Sequence, residues 1–530
     1  MLNPTQALAV QMVEAASITN TQGERDFPDV LMRLIGQEHY FQTHPELLWS
    51  PSIAHDPHER RNVCALVRGS GRKTVVLTGH YDVVSTDNYG PLQPWAFSPE
   101  LLQQKIIEDL RQNARSQAEH RALHDLESGL YLPGRGLLDM KAGLAAGLTA
   151  LYGFAALNNR VGNVLFLAVA DEEDRSHGAR VASSILTDLD LEVVGVINLD
   201  ATSDTGDGSA GQALYLGSVG KLLVSALVIG VDTHAGYALD GINANFLASA
   251  LSMNFEVNPR LTDQSFGEIG TPPTSLKQSD QKQQYDVTTP ARAWLCINVL
   301  THGLSAKEVL GGFTREAKHA IDGALQFLRN RAEKLGEKSA AHGASPLVLT
   351  YQDLLEHCQK QTGFDNQLEQ FCKQLEPKLD LPSQSQLVLN WLWDKSGLLG
   401  PAVVLGFASL HYPSTFLPQT DPFVQIIQKT LEQVQKDLNV TVATRRFFRG
   451  ISDMSWFGHA DPEDIAFVNA NTAAPLARIL TMPAQLPVVN LGPWGRDYHQ
   501  WLERVYMPYA FEHLPEILYR ILVDTLEFRV

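Results

Sequence analysis

Three short apolar runs dominate the first 200 residues: VVL inside 73–79, VGNVLFLAVA at 161–170 and VVGVINLD at 193–200. Runs of this length without polar alternation suit strands buried on both faces of a sheet. Segments of helical character lie between and before them. The pattern predicts a helix over 140–157 and another over 3–17. In the latter, Ala9, Met12, Val13 and Ala16 recur at helical spacing and Asn3 caps before Pro4. A further strand is expected at 61–68. This strand–helix–strand rhythm points to an α/β fold with a largely parallel, mixed sheet flanked by helices.

The texture changes near residue 212. ALYLGSVGKLLVSALVIGV reads as strand, 239–253 as an amphipathic helix, and 305–334 as a long helix. These suggest a smaller α+β domain, followed by helical segments through 350–397. The α/β texture then returns with a strand at 401–408, a helix at 421–437, strands at 440–447 and 486–491, and helices at 497–505 and 514–528. The expected organisation is a first domain at 1–212, an inserted domain at 213–397, and the rest of the first domain at 398–530. A polar, helix-prone insertion occupies 100–126.

Composition narrows the function. The chain has 530 residues, 44% hydrophobic and 19% charged, with a formal charge of -17. A chain this acidic is repelled by phosphate backbones, so nucleic-acid binding is not expected. Most of the charge reads as solvating surface. The four cysteines, Cys64, Cys296, Cys358 and Cys372, form no CxxC pair and suit a reducing compartment. The first residues lack a signal-peptide pattern, and no apolar run reaches membrane-spanning length. A cytoplasmic protein without a membrane partner is expected.

The chemistry lies at strand ends, where open α/β sheets hold their sites. VVLTGHYDVV places His80 and Asp82 two residues apart, on one side of an extended backbone, where Asp82 can orient His80. Asp139 lies between a Gly-rich turn and a helix, where a helix cap is the plain reading. Asp171, Glu172, Glu173 and Asp174 follow an apolar strand directly, so they form either a solvated loop or a cation site. Asp200 ends another apolar strand, and His499 follows a Gly/Pro turn and is expected to open a helix. Two histidines with several carboxylates suit zinc, with cobalt or manganese as alternatives.

The segments GHYDVV, GRGLLDMKAG, DEEDRSHGAR, the Asp of INLD, and GPWGRDYH, in this order, resemble the M20 family of metallopeptidases and deacylases. The resemblance implies a zinc-peptidase-like catalytic domain with an inserted α+β lid that serves dimerisation and substrate contact. It implies two divalent ions: Asp139 bridging them, His80 and Asp200 completing one site, Glu173 and His499 the other. Glu172 is then the general base, Asp82 the orienter of His80, and the Asp139–Met140 peptide cis. VDTHAGYALDGINANFLASAL resembles the lid segment whose histidine, here His234, reaches the reacting carbonyl. GISDMSWFG resembles the substrate-side turn, with Gly450, Ser452 and Asp453. LGSVGK, PPTSLKQSDQKQQYDVTTPA and GPWGRDYHQWLERVY resemble the arginine-utilisation (RocB-like) subgroup. The implied activity is metal-assisted hydrolysis of an amide or peptide bond in a short peptide or N-acyl amino acid, with arginine-related amides suggested by the subgroup. Many family members carry an arginine late in a lid strand to pair with a substrate carboxylate. Here that stretch offers Arg292 only at its start.

The rival reading is a non-catalytic metal- or amino-acid-binding protein on the same fold; an intact Glu172 argues against it. Gly206, Gly208 and Gly211 spell GxGxxG, but no helix is expected to follow them, as a dinucleotide requires. No GxSxG elbow is present. His55, His58, His120 and His124 read as surface residues, and Trp391, Trp393 and Trp456 as packing.

Overall fold

The three apolar runs become neighbouring strands. Asn163–Val169, Lys73–His80 and Glu192–Asn198 lie side by side and parallel. Val488–Asn490 continues the parallel set beyond Glu192–Asn198. The whole sheet runs Leu48–Trp49, Val63–Val67, Asn163–Val169, Lys73–His80, Glu192–Asn198, Val488–Asn490, Ala213–Tyr215, Ala443–Arg445. Its first two pairings are antiparallel, so the sheet is mixed. Val63–Val67 and Asn163–Val169 are buried throughout, which accounts for their unbroken apolar sequence. The helix Ala142–Ala155 is rich in Ala and Gly, most of them buried, and it packs on Pro4–Glu14, on Leu514–Leu526 and on the sheet, where Gly147 faces Phe166 and Leu199.

The structure is a computed structural model that describes residues 3–54, 56–203, 212–376 and 379–526. The chain divides into two units. The first comprises Met1–Ser218, Thr415–His459 and Thr481–Val530; the second comprises Val219–Ser414 and Ala460–Leu480. The GxGxxG glycines and His55 lie outside the described residues. The insertion at 100–126 forms two helices, Pro99–Asn113 and Gln117–Glu127, the second opened by a Ser116–Glu119 capping box.

The second unit is built on a sheet ordered Thr274–Asp280, Arg292–Thr301, Gly220–Ile229, Ala402–Phe407, Leu347–Thr350. Only the last pairing is parallel. Period-2 alternation sends Leu222, Val224, Ala226 and Val228 to one face, packed with the helices Ala244–Phe255 and Ala306–Lys334. Leu223, Leu227 and Ile229 face the other way, packed with Tyr351–Cys358, Phe364–Lys373 and Leu381–Ser396. The helical stretch after residue 350 is therefore a second layer on this sheet.

Three expectations change. The strand signal after residue 212 is not one strand: Ala213–Tyr215 belongs to the first sheet and Gly220–Ile229 to the second. The return to the first unit comes at Thr415 rather than 398. Ala402–Phe407 is buried throughout, like the strands of the first sheet, yet it pairs with Gly220–Ile229; apolar content alone does not say which sheet takes a strand. Finally, 497–505 is not a helix. Trp494–Arg496 and Arg504–Tyr506 form an antiparallel pair, with Arg496 opposite Arg504. Apolar residues at 498, 501, 502 and 505 imitate helical spacing, but Asp497 and His499 hold φ of 55 and 64, which a helix does not accept.

Candidate metal centre

Strand register brings the candidate ligands together. His80 lies beside Val169, and Thr78 lies beside Asn198. The residues just past these carboxyl ends, 171–174 and Asp200, therefore rise at the same edge as His80. Asp139 arrives from the turn before the helix Ala142–Ala155, and its peptide to Met140 is cis. His499 arrives from the tip of the Trp494–Tyr506 hairpin.

Asp139 is the centre of the cluster. Its Oδ1 lies 3.1 Å from His80 Nε2 and its Oδ2 lies 3.2 Å from His499 Nε2. Asp200 Oδ1 is 3.8 Å from His80 Nε2, and Glu173 Oε1 is 3.0 Å from His499 Nε2. Three triads, His80–Asp139–Asp200, His80–Glu172–Glu173 and Asp139–Glu173–His499, each hold their ligand atoms within 4.8 Å of one another. Asp139 is no helix cap; Lys141 occupies that position.

His80 is oriented differently from the expectation. Its Nδ1 lies 2.9 Å from the backbone oxygen of Asp82, whereas the Asp82 carboxylate is 3.7 Å away. That carboxylate instead accepts the backbone N–H groups of Glu172 and Glu173, at 3.1 and 3.2 Å, and the Thr19 hydroxyl. Asp82 thus supports His80 through its main chain and the 171–174 loop through its side chain. The strand ends at His80, so Asp82 lies beyond the extended backbone that the two-residue spacing assumed.

The electrostatics are those of an anionic cluster. Burial alone would raise the Asp139 carboxyl, but hydrogen bonds with His499 and His80 hold it well below the carboxylate range. Burial opposes the charge on His80, yet Asp139 and Asp200 raise its pKa well above normal. His499 is likewise pushed up to about 11 against burial, by Asp139 and Glu173. Glu172 is raised well above the usual range, first by burial and then, against His80, by Asp453, Glu173 and Asp200. Burial and neighbouring carboxylates raise Glu173 and Asp200 too. Anions outnumber cations here, which is the donor chemistry that divalent ions neutralise.

Other expected site residues fall in distinct settings. Ser452 is fully buried; its hydroxyl accepts from Asn198 Nδ2 at 3.0 Å and from Met454 N at 3.2 Å. Asn198 also donates to Asn490, which accepts from Asp200 N and donates to Asp200 O. Ser452 is therefore tied to the Asp200 backbone through two buried amides. Asp453 is buried, and that burial, with Asp82 and Asp200, pushes it to about 7 against His80 and Ser176. At Gly450 a side chain would meet the Phe448 ring at 2.7 Å. His234 lies in the second unit, exposed, bridged to Thr288 and accepting from Gly236 N at 3.0 Å. Arg292 is engaged with Asp394 and Asn390 of its own unit. His58, His120 and His124 are exposed, while Trp393 and Trp456 are buried.

Sequence reasoning missed the supports of the cluster. Glu503 accepts from Arg135 Nη1 at 2.5 Å, Gly136 N at 2.9 Å and Asp139 N at 3.5 Å. Gly136 holds φ 72, which turns its N–H toward Glu503 at no steric cost. Arg135 and Asn88 both donate to the backbone oxygen of His499, at 3.3 and 2.7 Å. A second network centres on Arg60, which is 1% exposed and pairs with Asp56, Glu24 and Asp171. Asp171 has φ 69 and also binds His177. The available signal was a charged residue embedded among apolar ones, as in Leu502–Glu503–Arg504–Val505.

The sequence profile of Peptidase family M20/M25/M40 matches residues 115–477. The chain belongs to the M20 peptidase family. It is an enzyme of the M20 peptidase and amidohydrolase type. It is 29% identical to the RocB protein of Bacillus subtilis, over 99% of this chain and 96% of that one. It is equally identical to B. subtilis YqjN, over 97% and 94%. A succinyl-diaminopimelate desuccinylase of Xanthomonas campestris is 30% identical over 40% of this chain and 48% of its own. A Staphylococcus aureus tripeptidase shares the fold, with TM-score 0.52, 15% identity and coverage of 99% and 98%. No helix among the described residues of this M20 protein is long and apolar enough to cross a membrane.

Proposed function

We propose that this M20 enzyme hydrolyses an amide or peptide bond of a small substrate, a short peptide or N-acyl amino acid, at a two-metal centre. The observation that carries the reading is Asp139, whose two oxygens each face a different histidine, His80 and His499. In this reading Asp139 would hold both ions, with His80 and Asp200 completing one site and Glu173 and His499 the other. Mixed nitrogen and oxygen donors suit zinc, with cobalt or manganese as alternatives. Bound divalent ions supply Lewis acidity and lower the pKa of water toward neutrality.

Glu172 takes the proton from the attacking water and returns it to the leaving amine. Burial raises its pKa, the direction expected of a carboxylate that accepts a proton and later releases it. Asp82 fixes the Glu172 and Glu173 backbones, so it positions the base. Ser452 positions Asp200, Asp453 adds a buried carboxyl behind Glu172, and Gly450 lies on the substrate side. His234 is the second unit's candidate for stabilising a developing oxyanion. The similarity to RocB supports an arginine-related amide as substrate. A homodimer through the second unit is supported by its edge strand Thr274–Asp280, which exposes Leu276.

The decisive experiment compares wild type with Glu172→Ala on a panel of N-acyl amino acids and short peptides, with metal content measured in both. Full metal content and a loss of turnover of about 10²–10⁴-fold are expected. An active Glu172→Ala enzyme removes the base assignment. A metal-replete wild type that releases no amine from any substrate removes the activity.

A further inference from the structure

The helices Tyr351–Cys358, Phe364–Lys373 and Leu381–Ser396 cover one face of the second unit's sheet, but they leave space beside residues 473–478. The cavity has a volume of about 620 Å³, lined by Tyr351, Leu355, Leu368, Leu375 and Leu476 together with Arg478. That volume lies within the roughly 300–1,000 Å³ of small-molecule sites.

Arg478 sets the chemistry. Its Nη2 donates to the Thr472 backbone oxygen at 3.0 Å and to the Tyr351 hydroxyl at 3.3 Å, and its Nε donates to Thr472 O at 3.2 Å. These acceptors are neutral, and no carboxylate among the described residues pairs with it. The buried arginines Arg60, Arg135 and Arg504 all have carboxylate partners. Arg478 is thus a half-buried guanidinium, fixed in place on one edge, with Nη1 making no hydrogen bond among the described residues. A planar guanidinium in this state recognises a carboxylate.

The rim limits the number of charges. Glu369 is paired with Lys373 at 2.6 Å, and Asp365 accepts from Gln359 at 2.9 Å; both acids are exposed. A second anionic group on the ligand would face these carboxylates. We infer that this cavity binds a small amphipathic monocarboxylate, with its carboxylate on Arg478 and its apolar body against Leu355, Leu368 and Leu375. The site contains none of the metal-centre residues, so it stands apart from the proposed activity.

Cys372 also lines the cavity and is partly exposed, whereas Cys64, Cys296 and Cys358 are buried. It reports occupancy. The test uses the full-length protein with octanoate as probe and octanamide as its neutral counterpart. Equilibrium dialysis measures binding, and the rate of Cys372 alkylation locates it. Octanoate should bind saturably and slow alkylation about tenfold at ten times its dissociation constant. Octanamide should bind about 10–100-fold more weakly, and Arg478→Gln should weaken octanoate by the same factor. Leu368→Trp, which fills the cavity and leaves Arg478 intact, should abolish protection. Thermal melting confirms that both variants fold. Absence of saturable octanoate binding overturns the site. So does equal binding of the amide, or binding that neither variant changes.

Discussion

Arg60→Met is the most searching test of how the 171–174 loop is held. Arg60 is 1% exposed and shared by three carboxylates: Asp56 at 2.6 Å, Glu24 at 3.3 Å, and Asp171. Methionine fills much of the same space but leaves the three acids without a cation. Removing one partner of a buried ion pair costs about 3–5 kcal/mol. That is a large share of the roughly 5–15 kcal/mol that holds a protein together. At a urea slope of about 3 kcal/mol per molar, the midpoint of the first unit's transition should fall by about 1–2 M. The sign with pH is fixed. In the wild type, burial opposes ionisation of Asp56, but Arg60 holds its carboxyl below 3.8. That contribution is present above the unfolded pKa and is lost as pH falls through the folded one. In the variant the Asp56 carboxyl loses that cation, and the penalty of burying its charge grows as pH rises above the unfolded value. The deficit should therefore be larger near pH 8 than near pH 5. Urea titrations of both proteins at both pH values measure it. An equal deficit at the two pH values would refute the electrostatic argument and leave only lost packing. A midpoint shift below about 0.3 M would mean that the network behaves like a surface ion pair.

Glu24→Gln should act in the opposite direction. Burial, then Asp82, push the Glu24 carboxyl to about 8 despite Arg60, so the variant should gain stability as pH rises above 4.5 and level off past 8; a flat pH dependence of the difference would contradict this. Glu503→Gln weakens the support shared by Arg135, Gly136 and Asp139. It should reduce metal affinity about 10–100-fold, measured by chelator competition, and unchanged affinity would show that Glu503 is merely structural. Asp139→Asn should lower the content of both metals in elemental analysis, whereas loss of one metal only would argue against a shared ligand.

Several candidate ligands were legible because they stand where an apolar strand stops. His80, Asp200 and the 171–174 carboxylates follow runs that can only be interior strands, so their placement at one edge follows from the parallel sheet. Asp82 was legible as a partner of His80, but not in its actual attachment. Whether a side chain or a carbonyl meets the imidazole depends on where the strand ends, within one residue. The His499 hairpin was misread because its apolar spacing fits a helix as well as a loop between strands. Arg135 with Glu503, and Arg60 with Asp171, pair across 368 and 111 residues. Neither pairing leaves a local trace, since a buried charge reads like any other charge until its partner is placed beside it.

The order of strands in the first sheet has a consequence for biosynthesis. Val488–Asn490 lies between Glu192–Asn198 and Ala213–Tyr215, and His499 and Glu503 follow it in sequence. The ribosome makes His80, Asp139 and Asp200 first, then the whole second unit, and only afterwards the strand that completes the sheet. At about 5–20 residues per second, the interval between Ser218 and Val488 is roughly 15–50 s. Throughout that time the nascent first unit presents an open sheet edge and an acidic half-site. On the proposed two-metal reading, the site that includes His499 closes only once the last segment has been made, and a chain stopped before residue 488 has His80, Asp139 and Asp200 but neither His499 nor Glu503.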